Sequence, residues 1–222
     1  MAATQALEGC GVMMDLALIA RHLRTHAWVN DAQCGCASAT TPGALLAFNS
    51  GGIEALCRRG RQGVVSTLQA HLDAAGYNGE PLTFRLFEDM PMLVSAAQID
   101  ALLQSQLPRD VEPTEEHEQD GVWTLSLRVP LDLIYFPGHF AQAPVLPGAV
   151  QVAWALSLAS TRLGTPLRCH MMEALKFQQL IRPGDRAELA LRHDVARHKL
   201  HFAYRDGDKA YSSGRLAWSA ET

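Results

Sequence analysis

The stretch FPGHFAQAPVLPGAVQVAWAL, residues 136–156, decides how the second half of the chain folds. His139 stands between a glycine and a phenylalanine, Pro144 and Pro147 punctuate the residues after it, and the apolar run from Gly148 carries no acidic residue. Pro147 at the start and Gly164 and Pro166 at the end bracket GAVQVAWALSLASTRLG (148–164), the usual punctuation of a helix. Because this helix is apolar on most faces, it is expected to be buried rather than amphipathic on a surface.

On its N-terminal side, VWTLSLRVP (122–130) alternates like a strand and DLIYF (132–136) continues toward the motif. On its C-terminal side, LRCHMMEALKFQQLIRPGD (167–185), AELALRHDV (187–195) and HKLHFAYRDGDKAYSSGRLAWS (198–219) supply four more strand-like runs, parted by the turn signals RPGD and RDGD. One apolar helix among antiparallel strands predicts a sheet wrapped around a central helix, with Trp154 and Met171 in its core.

The first half reads differently. LALIARHLRTHAWV (16–29), GRQGVVSTLQAHLDAAG (60–76) and AAQIDALLQSQL (96–107) have helical spacing, while GALLAFN (43–49) and LTFRLFEDMP (82–91) read as short strands. CASATTPG (36–43) reads as a plain loop. PRDVEPTEEHEQDG (108–121), with six acids and two prolines, lacks the apolar surface to order itself and reads as a linker. The expected organisation is a small α+β domain over 1–106, an acidic linker over 107–120 and a second domain over 121–222.

Composition narrows the function classes. The chain has 222 residues, 48% hydrophobic, and a formal net charge of -4, which argues against nucleic-acid binding. Residues 121–222 nevertheless carry twelve basic against eight acidic residues, a balance suited to an acidic macromolecular partner. The N-terminus shows no basic region ahead of an apolar core, and no apolar run approaches the ~18 residues of a membrane span, so a cytoplasmic location is expected. Cys10, Cys34, Cys36, Cys57 and Cys169 are scattered, and the single residue between Cys34 and Cys36 is shorter than zinc-ligand spacing, so reduced thiols and no metal are expected.

YFPGHFAQAPVLPG followed by an apolar helix, then ALKFQQLIRPGD, resembles the hot-dog-fold 3-hydroxyacyl-acyl-carrier-protein dehydratases over residues 121–219. VLPGAVQVAWA, with Gln151 and Trp154, is most similar to the dehydratase-like proteins of aryl-polyene and xanthomonadin-type pigment pathways. The resemblance implies an α+β hot-dog fold. It also implies an acyl carrier protein with a phosphopantetheine-linked acyl chain as partner, a homodimer or a heterodimer with another hot-dog subunit, and no cofactor. His139 matches the catalytic histidine and suits removal of an α-proton, its ordinary pKa lying near neutrality. Gly148 matches the backbone donor that holds the thioester oxygen at a helix N-terminus, and Pro147 and Phe140 are expected to line the substrate. The family's helix acid, five residues after the glycine, falls on Ala153.

Other residues have plainer readings. Glu173 and Asp185 could be offered for the missing acid but fit a strand carboxylate and a turn residue. His193, His198 and His201 straddle a turn, and solvated strand faces explain them. Arg182, Arg186, Arg192 and Arg197 could hold an acidic carrier or be ordinary strand charge. The N-terminal segments DLALIARHLRTHAWVNDAQ (15–33), EALCRRGRQGVVSTLQAHLDAAG (54–76) and GEPLTFRLFEDMP (79–91) resemble the small C-terminal subdomain of adenylate-forming acyl ligases. Ala96 and Ala97 stand where that family has Gly-Lys, so no adenylation is expected. The expected activity is 3-hydroxyacyl-carrier dehydration. The alternatives are a catalytically impaired dehydratase-like scaffold left from a truncated ligase-dehydratase fusion, and a hot-dog thioesterase.

Overall fold

Asp15 opens the first helix by accepting hydrogen bonds from the amides of Ala17 and Leu18 in a computed structural model that describes residues 15–77, 79–93 and 95–219. Cys10 lies outside the described residues. Internal contacts divide the chain into two units, one of the residues up to Pro108 with Pro130–Pro144, the other of Arg109–Val129 with the residues from Val145 on.

In the first unit, α1 (Leu16–Leu23) turns Ile19, Ala20 and Leu23 inward and gives way to a turn before β1 (Val29–Cys36), so it is shorter than the periodicity of 16–29 predicts. β1 pairs antiparallel with β2 (Pro42–Phe48), which is buried along its whole length and therefore reads as a continuous apolar run. α2 (Ser50–Ala74), capped by Asn49, carries the chain across to β3 (Thr83–Phe87), which pairs parallel with β2, as a crossover connection allows. α2 starts ten residues before the predicted GRQGVV segment and is kinked at Gly60 (φ 67°, ψ 174°), where glycine tolerates a backbone that other residues do not. α3 (Ala96–Gln104), capped by Ser95, comes next in the chain. Leu23, Leu46, Phe48, Leu68, Phe84 and Leu131 share the core. Burial pushes the Cys34 thiol on β1 up to about 12.

The second unit is a six-stranded sheet in the order β4-β5-β7-β8-β9-β6, antiparallel throughout. Its strands are β4 (Pro113–Gln119), β5 (Val122–Arg128), β6 (Met171–Phe177), β7 (Arg186–Asp194), β8 (Lys199–Asp206) and β9 (Lys209–Ala217). α4 (Gly148–Leu163) joins it: Tyr204 Oη on β8 donates to the Gln151 carbonyl at 2.8 Å, and Ser212 Oγ on β9 donates to Gln151 Oε1 at 2.6 Å. One long helix against an antiparallel sheet is the α+β hot-dog arrangement the sequence predicts.

Further expectations are corrected. The acidic segment is not a linker: its residues 113–119 form β4, an exposed edge strand tied to β5 by a two-residue hairpin at Asp120 and Gly121, both with positive φ. Residues 109–120 accordingly belong to the second unit, and the domain boundary does not run as a single cut, because 130–144 pack with the first. DLIYF is not a strand but a series of turns, closed by bonds from Phe136 N to Leu133 O and from His139 N to Tyr135 O. Met171 is 56% exposed because β6 is the last strand of the sheet, whereas Trp154 is buried as expected and donates to the Arg109 carbonyl. α4 also departs from uniform burial: Val150, Val152, Trp154, Ala155 and Ala159 are covered, but Ala149, Ala153, Ser157 and Thr161 form an exposed stripe at four-residue spacing.

Candidate active site

His139 sits in the turn-rich segment 130–144 of the first unit. Its amide bonds to the Tyr135 carbonyl at 3.1 Å, its side chain is half-buried, and its ring lies 4.5 Å from that of Phe140. Phe140 is 63% exposed and holds a left-handed backbone (φ 59°), a conformation costing a bulky residue about 1–3 kcal/mol. The bond from Ala143 N to Phe140 O (2.8 Å) closes the turn that keeps it there.

The segment is fastened at both ends. Before the histidine, Asp132 is buried and accepts from Arg61 Nε (2.5 Å), from Arg61 Nη2 (3.3 Å) and from the Leu86 amide (3.2 Å), while Arg61 Nη2 also donates to the Phe84 carbonyl (2.6 Å). The Ile134 amide donates to the Pro108 carbonyl at 3.0 Å. After it, the Ala141 carbonyl lies so close to Gly60 that a side chain at Gly60 would overlap it.

In the second unit, Gly148 opens α4 behind Pro147 (φ -58°, ψ 141°), and no side chain caps this end, unlike α1, α2 and α3. The first backbone N–H groups of such a helix are donors carrying the positive end of the helix dipole. Phe177 of β6 lies against Gly148, where an added Cβ would come within 2.6 Å of the ring. Gly148 therefore has a packing reason that its sequence reading lacked: it makes room for Phe177. The helix start is anchored by Leu146 N to Ile181 O (2.8 Å) and by Gln151, whose Nε2 donates to the Leu146 carbonyl (3.1 Å) while its Oε1 takes the Ser212 hydroxyl.

Ala153 is exposed and brings no carboxylate. Glu173 is committed elsewhere, accepting Lys199 Nζ at 2.8 Å on both oxygens and meeting Arg215 at 3.4 Å; the Lys199 bond holds its carboxyl below the usual range. Asp185 accepts the Arg182 amide inside its turn, with burial raising its pKa. His193 meets Trp218 edge-on, His198 ends a helical turn in the left-handed region, and burial lowers the pKa of His201. Arg197 pairs with Asp194, and Arg186 and Arg192 are exposed. Among the described residues, no group of three or more His, Cys, Asp or Glu is arranged to hold a metal, and no helix is long and apolar enough to cross a membrane.

Gln151 entered the sequence reading only as a mark of resemblance, with no structural role given, and Phe177 and the Arg61–Asp132 pair were not singled out. A lone amide inside the apolar run AVQVAWAL was the available signal for the first, since a buried polar group needs partners. The other two depend on contacts between distant segments.

Residues 114–215 match the family model described as ApeI-like, ApeI dehydratase. The chain is 36% identical over 96 residues to the 3-hydroxyacyl-[acyl-carrier-protein] dehydratase FabZ of Oleidesulfovibrio alaskensis, covering 39% of this chain and 60% of that one. It is 32% identical over 95 residues to FabZ of Nitratidesulfovibrio vulgaris, with the same coverages. The chain thus spans 60% of the length of the curated relatives it matches. Among solved structures, the dehydratase heterocomplex ApeI:P from Xenorhabdus doucetiae aligns at 28% identity and a TM-score of 0.46, covering 49% of this chain and 96% of that chain. An uncharacterized protein from Erwinia carotovora subsp. atroseptica aligns at 32% identity and a TM-score of 0.41, covering 50% and 95%. Over residues 114–215 the chain is thus similar to the ApeI-like dehydratase family and to curated 3-hydroxyacyl-[acyl-carrier-protein] dehydratases.

Proposed function

We propose that the chain acts on 3-hydroxyacyl thioesters of an acyl carrier protein, removing water to leave the enoyl thioester. The observation that carries this reading is the family match over 114–215, which includes His139 and the uncapped start of α4 at Gly148. In this reading His139 takes the α-proton, the first N–H groups of α4 stabilise the thioester oxygen as enolate character develops, and Pro147 and Phe140 border the acyl chain. The departing hydroxyl needs a proton, and Ala153 supplies none. An acid from a second hot-dog subunit, or a water, fills that role, and a chain without it is expected to be about 10² to 10⁴ slower. A cytoplasmic location and a place in fatty-acid-like or aryl-polyene biosynthesis go with such a substrate.

The free edge of β6 supports the second subunit. β6 ends the sheet and exposes Met171, Met172 and Phe177, each more than half accessible, with Leu180 beside them in sequence. A sheet edge with an apolar flank favours pairing with another strand. Arg186 and Arg192 offer exposed positive charge for an acidic carrier.

Ala153 favours a second reading, a dehydratase-like subunit that binds acyl carrier without turnover. Incubating the purified chain with a 3-hydroxyacyl carrier protein and following the product by mass separates these readings. Loss of water supports dehydration, and tight binding without a mass change supports the binding subunit. Release of free acid would show a thioesterase and overturn both.

A further inference from the structure

The segment that carries His139 lies inside the family-matched region, yet it folds onto residues that precede that region. Two fastenings flank the histidine. Seven residues before it, the buried Asp132 takes two bonds from Arg61 and one from the Leu86 amide, so α2 and β3 both grip it. Two residues after it, the Ala141 carbonyl occupies the space a side chain would fill at Gly60, and the kinked backbone there (φ 67°) is what opens that space. Arg61 and Gly60 are neighbours on α2, so one short stretch of that helix holds both sides of the loop. A guanidinium suits the task because its fork reaches Asp132 and the Phe84 carbonyl together, which a lysine cannot do.

We propose that the first unit is a positioning platform for His139, with Gly60, Arg61 and Asp132 as positioning residues that fix the loop from outside the dehydratase segment. This gives residues upstream of 109 a role in the reaction without any adenylation chemistry. The catalytic part rests on His139 being the base of the proposed dehydration.

The test uses the full chain with Arg61→Lys, Arg61→Gln and Gly60→Ala. The readouts are hydrogen exchange of peptides spanning 133–143, the His139 imidazole NMR signals (identified by their loss in His139→Gln), and kcat and KM for the 3-hydroxyacyl carrier substrate. Arg61→Gln and Gly60→Ala are expected to raise loop exchange at least about tenfold and to shift or broaden the His139 signals. They should also lower kcat about 10- to 100-fold with KM within about threefold, the size expected from misplacing a catalytic group. Arg61→Lys should fall between them and the parent, because it keeps the charge beside Asp132 and loses the Phe84 bond. Two controls should leave loop and kcat unchanged: Glu54→Gln, which breaks the exposed Arg58–Glu54 pair on α2, and Leu103→Ala, which loosens the packing of α3 on Gly35 and Gly43. If Gly60→Ala does not fold, the two Arg61 variants decide. A folded Arg61→Gln chain whose loop exchange and His139 signals match the parent overturns the proposal. If His139→Ala turns over like the parent while the Arg61 variants still loosen the loop, the platform stands and the assignment of the base fails.

Discussion

At the scale of single residues, Gly148 shows how one position can serve packing and chemistry together. The sequence reading gives it a substrate reason, close approach of a thioester to an uncapped helix end, and the structure adds the ring of Phe177 at van der Waals limits. Gly148→Ala must push Phe177 aside and is expected to lower kcat/KM about tenfold, a cost near 1.4 kcal/mol. Adding Phe177→Leu should recover most of that loss, and steady-state assays of the single and double variants check the coupling. Gln151 makes a different point. Its side-chain oxygen is buried and takes the Ser212 hydroxyl, so Ser212→Ala leaves a covered acceptor behind and is expected to destabilise the protein by about 1–3 kcal/mol, read from urea unfolding. The polarity of Gln151 in an apolar helix was visible in the sequence, but its partners on β8 and β9 were not, because they lie more than fifty residues away.

At the scale of elements, the limits of α4 were legible: proline before it and glycine after it bracket Gly148–Leu163, and Gly164 ends the helix in the left-handed conformation. The strands β5, β7, β8 and β9 were legible from alternation. β4 was not, because an edge strand exposed on both sides needs no apolar alternation and its run of acids looks like a solvated linker. Its signature was nevertheless present at Asp120-Gly121, the residue pair that suits a two-residue hairpin with both φ positive. Gly121→Val should therefore destabilise the sheet by about 1–2 kcal/mol, since a β-branched residue is strained at φ 75°, and urea melts against the parent would show it. β1 was missed for a related reason, its polar and cysteine-containing sequence VNDAQCGC masking a strand that pairs with the fully buried β2.

At the scale of the whole molecule, the chain does not divide where its composition suggests. Segment 130–144 belongs by sequence to the dehydratase-like region and by contact to the first unit, a membership set by Arg61 and Asp132, 71 residues apart. No local pattern could reveal that. A fragment of residues 121–222 should consequently lose β4 and expose the buried side chains of Leu131, Leu133 and Phe136, so it is expected to aggregate or bind a hydrophobic dye where the full chain does not. The task proposed for the first unit, holding the histidine loop, rests on these contacts and not on any resemblance of residues 1–106. The assay that bears most directly on function compares dehydration of a 3-hydroxyacyl carrier substrate by the parent chain, His139→Ala and Ala153→Asp. We predict slow turnover in the parent, loss of turnover in His139→Ala, and a rise of about 10² or more in Ala153→Asp as the missing acid is restored. Turnover that persists in His139→Ala, or its absence from both the parent and Ala153→Asp, would contradict a His139-dependent dehydratase.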